Sequence, residues 1–264
     1  MRRLQFSLRS LLLFVTVVAV CLGVGKMLFT YLATSAQDRA RSGKSGANLT
    51  SIYGALEHYH YKHGCYPPAF IPDKEGKPMH SWRVLLLPYL GRDDLWARYD
   101  FSEPWNGPNN IKLAKEMPES YWSPFEERDC GCTSYLAVTG EEAAWPGPVS
   151  RSKCTFPLPR PTVLVVDVSD SGICWLEPRD LPLEEALRAL DDSSNGLKLR
   201  RSRTGHFQFA STRYVRPKED MSAEEWRSLL FCRPIGQAAQ GISPNKNAGD
   251  RSRPDEKDNG VKKE

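Results

Sequence analysis

Three groups of residues carry side chains whose type and spacing could do chemistry. His58, His60 and His63 lie just ahead of Cys65. His60 and His63 are three apart, so a helix would turn both the same way. Imidazole and thiolate are zinc-type donors, although histidines flanking a half-buried helix also serve in packing and hydrogen bonding. Asp167 and Asp170 flank a turn. With backbone oxygens they would form an all-oxygen set of the kind that takes calcium; as solvated turn formers they need no ion. The segment 103–110, EPWNGPNN, offers Trp105 as a stacking face and Asn106, Asn109 and Asn110 as amide donors and acceptors for a glycan or peptide. The other reading is a proline-locked loop around a buried Trp105. Trp145 to Pro148 is a second aromatic loop.

Familiar catalytic signatures are missing. The sequence has no G-x-S-x-G, no H-E-x-x-H, no P-loop and no dinucleotide fingerprint. A hydrolase needs a placed nucleophile, base and oxyanion site, so a non-enzymatic protein without a cofactor is expected, with calcium the ion that Asp167 and Asp170 would take. The net charge of +4 over 264 residues is small and scattered, which argues against a nucleic-acid partner. Cys21 lies in an apolar run, and Cys65, Cys130, Cys132, Cys154, Cys174 and Cys232 lie beyond it. An even number permits disulfides in an exported domain and leaves the pairing open. Cys130-Gly131-Cys132 is not the C-x2-C of a zinc knuckle, and these two thiols are expected to bond elsewhere rather than to each other.

The elements that must position these residues start with LLLFVTVVAVCLGVGKMLFTYL, residues 11–32. A helical span needs about 20 apolar residues. Leu11 to Gly25 is uncharged; Met27 to Ala33 supplies the remaining length if the Lys26 ammonium reaches the headgroups. Arg2, Arg3 and Arg9 precede the run and Arg39, Arg41 and Lys44 follow it. We read a signal anchor at 1–33, in contact with lipid through residues 11–33, with its N-terminus inside. A cleaved signal peptide is the rival, with small residues for cleavage at Ala33-Thr34-Ser35 before Ala36.

Residues 34–47 are small and charged and read as a juxtamembrane linker. Leu49, Ile52, Leu56, Tyr59 and His63 then recur at helical spacing, with Gly64 and Pro67-Pro68 to stop the helix. Asp73 to Gly76 reads as a turn, and 80–90 as an apolar helix that Pro88 kinks or stops. Strands are expected at 133–139, 161–167, 171–177 and 205–210, with 161–177 forming an antiparallel hairpin. Helices are expected from Pro182 to Leu190 and after the capping box Ser222-Ala223-Glu224-Glu225. Residues 236–264 carry mixed charge and almost no apolar content, the composition of a disordered tail.

Taken together, NLTSIYGALEHYHYKHGCYPPAF (48–70), HSWRVLLLPYL (80–90), YDFSEPWNGPNN (99–110), MPESYWSP (117–124), TSYLAVTG (133–140), TVLVVDVSDSGICWLEPRDLPLEEAL (162–187) and HFQFASTRYVRPKEDMSAEEWRSLL (206–230) resemble the prepilin-like proteins of planctomycete bacteria, a family of unknown function. That resemblance implies a fold like type IV pilins and type II secretion pseudopilins. Two departures limit what it carries over. Gln5 to Val15 lacks the glycine before the apolar stretch and the glutamate five residues into it, so prepilin-peptidase processing and fibre assembly are not implied. The family's C-terminal His-x9-Asp-Gly motif falls on Arg201 and on Ser211-Thr212, so no role follows from it.

The expected fold class is α+β: an N-terminal transmembrane, pilin-like helix packed on an antiparallel β-sheet, with short extra helices. The organisation is an anchor at 1–33, a linker at 34–47, an exported domain at 48–235 and a tail at 236–264. The expected location is the inner membrane, single-pass, with the domain extracytoplasmic. Two functions fit. One is a structural or accessory subunit that associates with itself or with secretion or pilus-like machinery. The other is a tethered or secreted recognition module for glycan or peptide.

Overall fold

The computed structural model describes residues 8–127, 131–148, 162–190, 198–200, 209–211 and 222–231. The tail at 236–264, most of the strand expected at 205–210, and Cys130, Cys154 and Cys232 lie outside the described residues. The fold is mixed α and β. One helix, α1, runs Leu8–His63 for 56 residues without a break. The segment read as a linker, 34–47, is helical throughout. Gly64 ends the helix as its sequence position suggests: φ is +73°, and its N–H returns to the His60 carbonyl at 2.8 Å.

A hairpin of β1 (Phe70–Pro72) and β2 (Pro78–Ser81) follows. It turns on Asp73, whose Oδ1 accepts from the N–H groups of Glu75 and Lys77. The Ser81 side chain caps α2 (Trp82–Leu85), and the chain continues as a 3-10 turn over Leu87–Leu90, with Pro88 in its first turn. Pro88 thus stops the α-helix, as read. Next comes α3 (Asp93–Arg98), then 3-10 turns at Asn110–Glu116 and Glu119–Tyr121.

The main sheet contains β3 (Tyr135–Thr139), β4 (Val163–Ser169), β5 (Leu181–Pro182), β6 (Lys198–Leu199) and β7 (Phe209–Ser211). β4 is central and pairs antiparallel with β3, β6 and β7, while β5 pairs parallel with β3. Helix α4 (Leu183–Leu190) leaves β5 directly, and α5 (Ala223–Leu230) has the expected capping box.

The third strand and its hairpin do not form. Asp170 adopts φ +50° and Gly172 φ +62°, which turn the chain out of the extended region, and only Cys174 makes an isolated bridge, to Cys132. β4 instead takes β6 and β7 as its partners on the side away from β3.

β4 is apolar on both faces because helices cover both. On one face Leu164 and Val165 join Leu49, Ile52 and Leu56 of α1. On the other, Val163, Val166 and Val168 meet Ala186 and Leu190 of α4 and Trp226, Leu229 and Leu230 of α5. A register shift between Val163 and Val165, opposite β7, explains why strict alternation fails there. Beside α1 the core is aromatic: the Trp82 ring lies 5.2 Å from Trp145 and 6.1 Å from Tyr121, and Tyr121 stacks on Trp175 at 6.2 Å. Each buried polar end in this group finds an acceptor, such as Leu164 O for Trp145 Nε1 and Arg83 O for the Tyr121 hydroxyl.

Candidate functional site

Leu11 to Leu32 form one continuous exposed apolar surface on α1. Leu22 is 69% and Met27 76% exposed, and no residue in this stretch is buried. Thr16, Thr30 and Thr34 turn their hydroxyls back onto helix carbonyls at 2.8 to 3.0 Å. The rod is therefore internally satisfied in its backbone and in these hydroxyls, which is what a segment in hydrocarbon requires. It is the one helix among the described residues long and apolar enough to cross a membrane.

About one turn beyond Arg41 the same helix enters the domain through polar contacts. Ser45 Oγ donates to Asp167 Oδ2 at 2.5 Å, and the Tyr135 hydroxyl donates to Ser45 at 3.1 Å. Asn48 donates to Trp122 O at 2.7 Å and to the Tyr135 hydroxyl at 3.3 Å. On the rim, Lys44 pairs with Glu119 at 2.5 Å and sits over the Trp122 ring. Asp167 is completely buried. Its second oxygen accepts from Arg200 Nε at 3.1 Å, and Arg200 also pairs with Glu126. Burial pushes the Asp167 carboxyl up to about 6, against the pull of Ser45 and Arg200.

The two aspartates of the calcium reading therefore sit in different surroundings. Asp167 spends its oxygens on Ser45 and Arg200. Asp170 is exposed, with its backbone N–H near Glu126 Oε1 at 3.3 Å. Among the described residues no group of three or more His, Cys, Asp or Glu side chains is placed to share an ion. His63 bonds the Tyr89 hydroxyl at 2.9 Å and stacks on Tyr59, while the His60 ring packs on Tyr66.

In the loop at 103–110, Glu103 Oε1 accepts from the N–H groups of Asn109 and Asn110. Asn110 is buried and is the hub of the loop: it accepts from Asp100 N and donates to the carbonyls of Asp100, Glu103 and Pro104. Asn109 also donates to Glu103. Trp105 packs half-buried against the core, while Asn106 and Asn109 are exposed, Asn109 with its amide turned onto Glu103. Trp145 of the second aromatic loop is buried. The geometry is that of a locked loop, with most of its polar groups spent internally.

A second buried ion pair was not visible in the sequence. Arg83 and Asp180 meet at 2.5 Å, with side chains 0% and 2% exposed. Asp180 also accepts from Ala137 N and Trp82 Nε1, and Arg83 reaches Tyr135 O and Ser81 Oγ. The pair cross-links α2, β3 and the segment before β5, and it borders a shallow cleft lined by Phe70, Thr139, Glu141, Pro146 and Gly147. An arginine inside the run WRVLLL was the available signal, since a buried guanidinium requires a buried acceptor.

This arrangement defines a class: a protein with one long helix, bare and apolar at its start and clasped by an α+β domain at its end. Residues 34–155, from the middle of α1 to just beyond the second aromatic loop, match the model of a family described as a protein of unknown function (DUF1559). No curated protein and no solved structure matches the chain.

Proposed function

We propose that this chain is a single-pass, membrane-anchored, pilin-like protein of the cell envelope, with a structural or accessory rather than catalytic role. What supports the reading is the exposed apolar half of α1, continuous with a half that is built into the domain. A patch of this size left in water would drive aggregation; lipid satisfies it. The reading keeps the N-terminus inside and exports the domain across the inner membrane; Arg2, Arg3 and Arg9 before the run are matched in number by Arg39, Arg41 and Lys44 after it. Lipid is then the first partner, and neighbouring copies or secretion-type machinery in the same membrane are the second. The missing glutamate near the start of the apolar run favours an accessory subunit over a fibre former.

The test is fractionation followed by intact mass. A full-length or Met-trimmed chain found only in membranes and resistant to carbonate extraction is expected. A soluble chain starting near Ala36 would overturn the anchor and the subunit role together. Protease digestion of intact spheroplasts reads the orientation: the domain is expected to be cut and the N-terminal arginines protected.

A further inference from the structure

Cys132 and Cys174 face each other across an isolated antiparallel bridge. Thr133 N–H donates to Ile173 O at 2.8 Å, and Trp175 N–H donates to Gly131 O at 3.1 Å. The hydrogen bonds thus flank the two cysteines and do not join them. Such a pair is the narrow one of an antiparallel ladder, with Cα atoms about 4.5 Å apart and side chains at their closest. A disulfide spans Cα separations of about 4.4 to 6.8 Å.

Side-chain alternation supports the same pairing. Gly131, Thr133, Ile173 and Trp175 are buried, whereas Cys132 and Cys174 are half-exposed. Both cysteines therefore leave the ladder on the same face, with Cys174 partly packed against the core beside α1. The backbone beneath them is held. Gly131 has φ +63°, and a Cβ there would lie 2.7 Å from the Ala114 carbonyl oxygen. Trp175 Nε1 donates to that same oxygen at 3.0 Å, and Ser171 Oγ donates to Thr133 O at 2.5 Å.

We propose that Cys132 and Cys174 are a disulfide-forming pair, closed by exchange with a small-molecule or protein disulfide. One thiolate attacks a sulfur of the donor RSSR, giving a mixed disulfide and releasing RS⁻. The other thiolate attacks the protein sulfur of that mixed disulfide and expels the second RS⁻. The protein gives up two protons and two electrons, and the donor takes them up as two RSH. The bond ties the approach to β3 to the segment after β4, across a sheet edge that otherwise holds by two backbone hydrogen bonds and the Ser171 side-chain bond to Thr133. It leaves Cys65, Cys130, Cys154 and Cys232 outside the pair.

The full-length protein in detergent, equilibrated with oxidised and reduced glutathione, blocked with N-ethylmaleimide and digested without reduction, decides the matter. The expected result is a peptide pair joining Cys132 to Cys174 that separates on reduction. It disappears in Cys132→Ser and in Cys174→Ser, each leaving its partner open to N-ethylmaleimide, and it survives in Cys65→Ser. Recovery of both cysteines as adducts in the wild type, or of Cys132 linked to Cys130 or Cys154, overturns the pairing. The same trapping in intact cells separates this inference from the envelope reading. A pair that closes in glutathione but is found as thiols in cells upholds the pairing and overturns the exported placement.

Discussion

From Leu11 to Leu32, α1 turns its apolar side chains outward on every face, whereas from Ser45 onward the same helix buries Leu49, Ile52, Ala55 and Leu56 and spends Ser45 and Asn48 on hydrogen bonds. The backbone geometry is the same in both halves. The difference lies in the solvent each surface implies: lipid all round for the first, and a protein core on one side for the second. Most helical stability comes from what the side chains pack against, so equivalent substitutions should have opposite readouts in the two halves.

The sharpest break of that comparison is a leucine truncated in each half. Leu56→Ala should cost about 2–5 kcal/mol of domain stability by leaving a cavity beside β4. Leu22→Ala should change it by less than about 0.5 kcal/mol. Urea melts of the detergent-solubilised protein compare the two, and similar losses would erase the distinction between halves. A charge in the first half should do the reverse. Leu22→Arg should weaken insertion by about 3–4 kcal/mol and shift the chain toward the soluble fraction, while the thermal midpoint of the domain stays in place.

The polar clasp is testable through pH. The folded Asp167 carboxyl titrates near 6, above the ordinary carboxylate value. Between those two values the folded state holds a proton that the unfolded state lacks. Stability from this group is therefore present at low pH and lost as pH rises through about 6, by about 2–3 kcal/mol in full. Urea melts at pH 4, 5.5 and 7 should show the wild type losing this increment relative to Asp167→Asn; parallel pH profiles would rule it out. Ser45→Ala should cost about 1–3 kcal/mol, because it strands Asp167 Oδ2 in the interior, whereas Thr30→Ala should stay within about 0.5 kcal/mol. The smallest effect has the opposite sign. A Cβ on Gly46 meets open space, so Gly46→Ala should add about 0.5–1 kcal/mol in a thermal melt. A loss there would argue against a straight helix through 34–47.

Much of this molecule is readable from local pattern. The apolar run, the Gly64 and Pro67-Pro68 stop, the uninterrupted β4 and the Ser222 capping box are all signals spanning a few residues. Two segments depart from what their composition suggests, the first through remote partners and the second through a local turn. Residues 34–47 read as a linker, helical as far as Arg41, because Gly43, Gly46 and the serines lower helix propensity, whereas the helix runs on through Ser45 and Asn48, which find acceptors at Asp167 and Trp122, far along the chain. Residues 171–177 look like a strand by composition, yet Asp170 and Gly172 turn the chain before pairing can start. The candidate site divides the same way. The anchor is legible as composition, whereas the Asp167 clasp and the Arg83–Asp180 pair are contacts between distant segments that no spacing rule reveals.

The unbroken passage of α1 through 34–47 has a mechanical consequence. With a rise of about 1.5 Å per residue, some 18 Å of stiff rod separates Ala33 from the first clasp at Ser45. On the proposed membrane reading the domain is carried at a set height above the lipid and its heading is keyed to the apolar half of the helix: one residue inserted in that rod would swing the sheet by about 100° about the helix axis. A tilt or twist imposed on the apolar half is handed to the sheet through one continuous helix, as torque reaches the far end of a crankshaft.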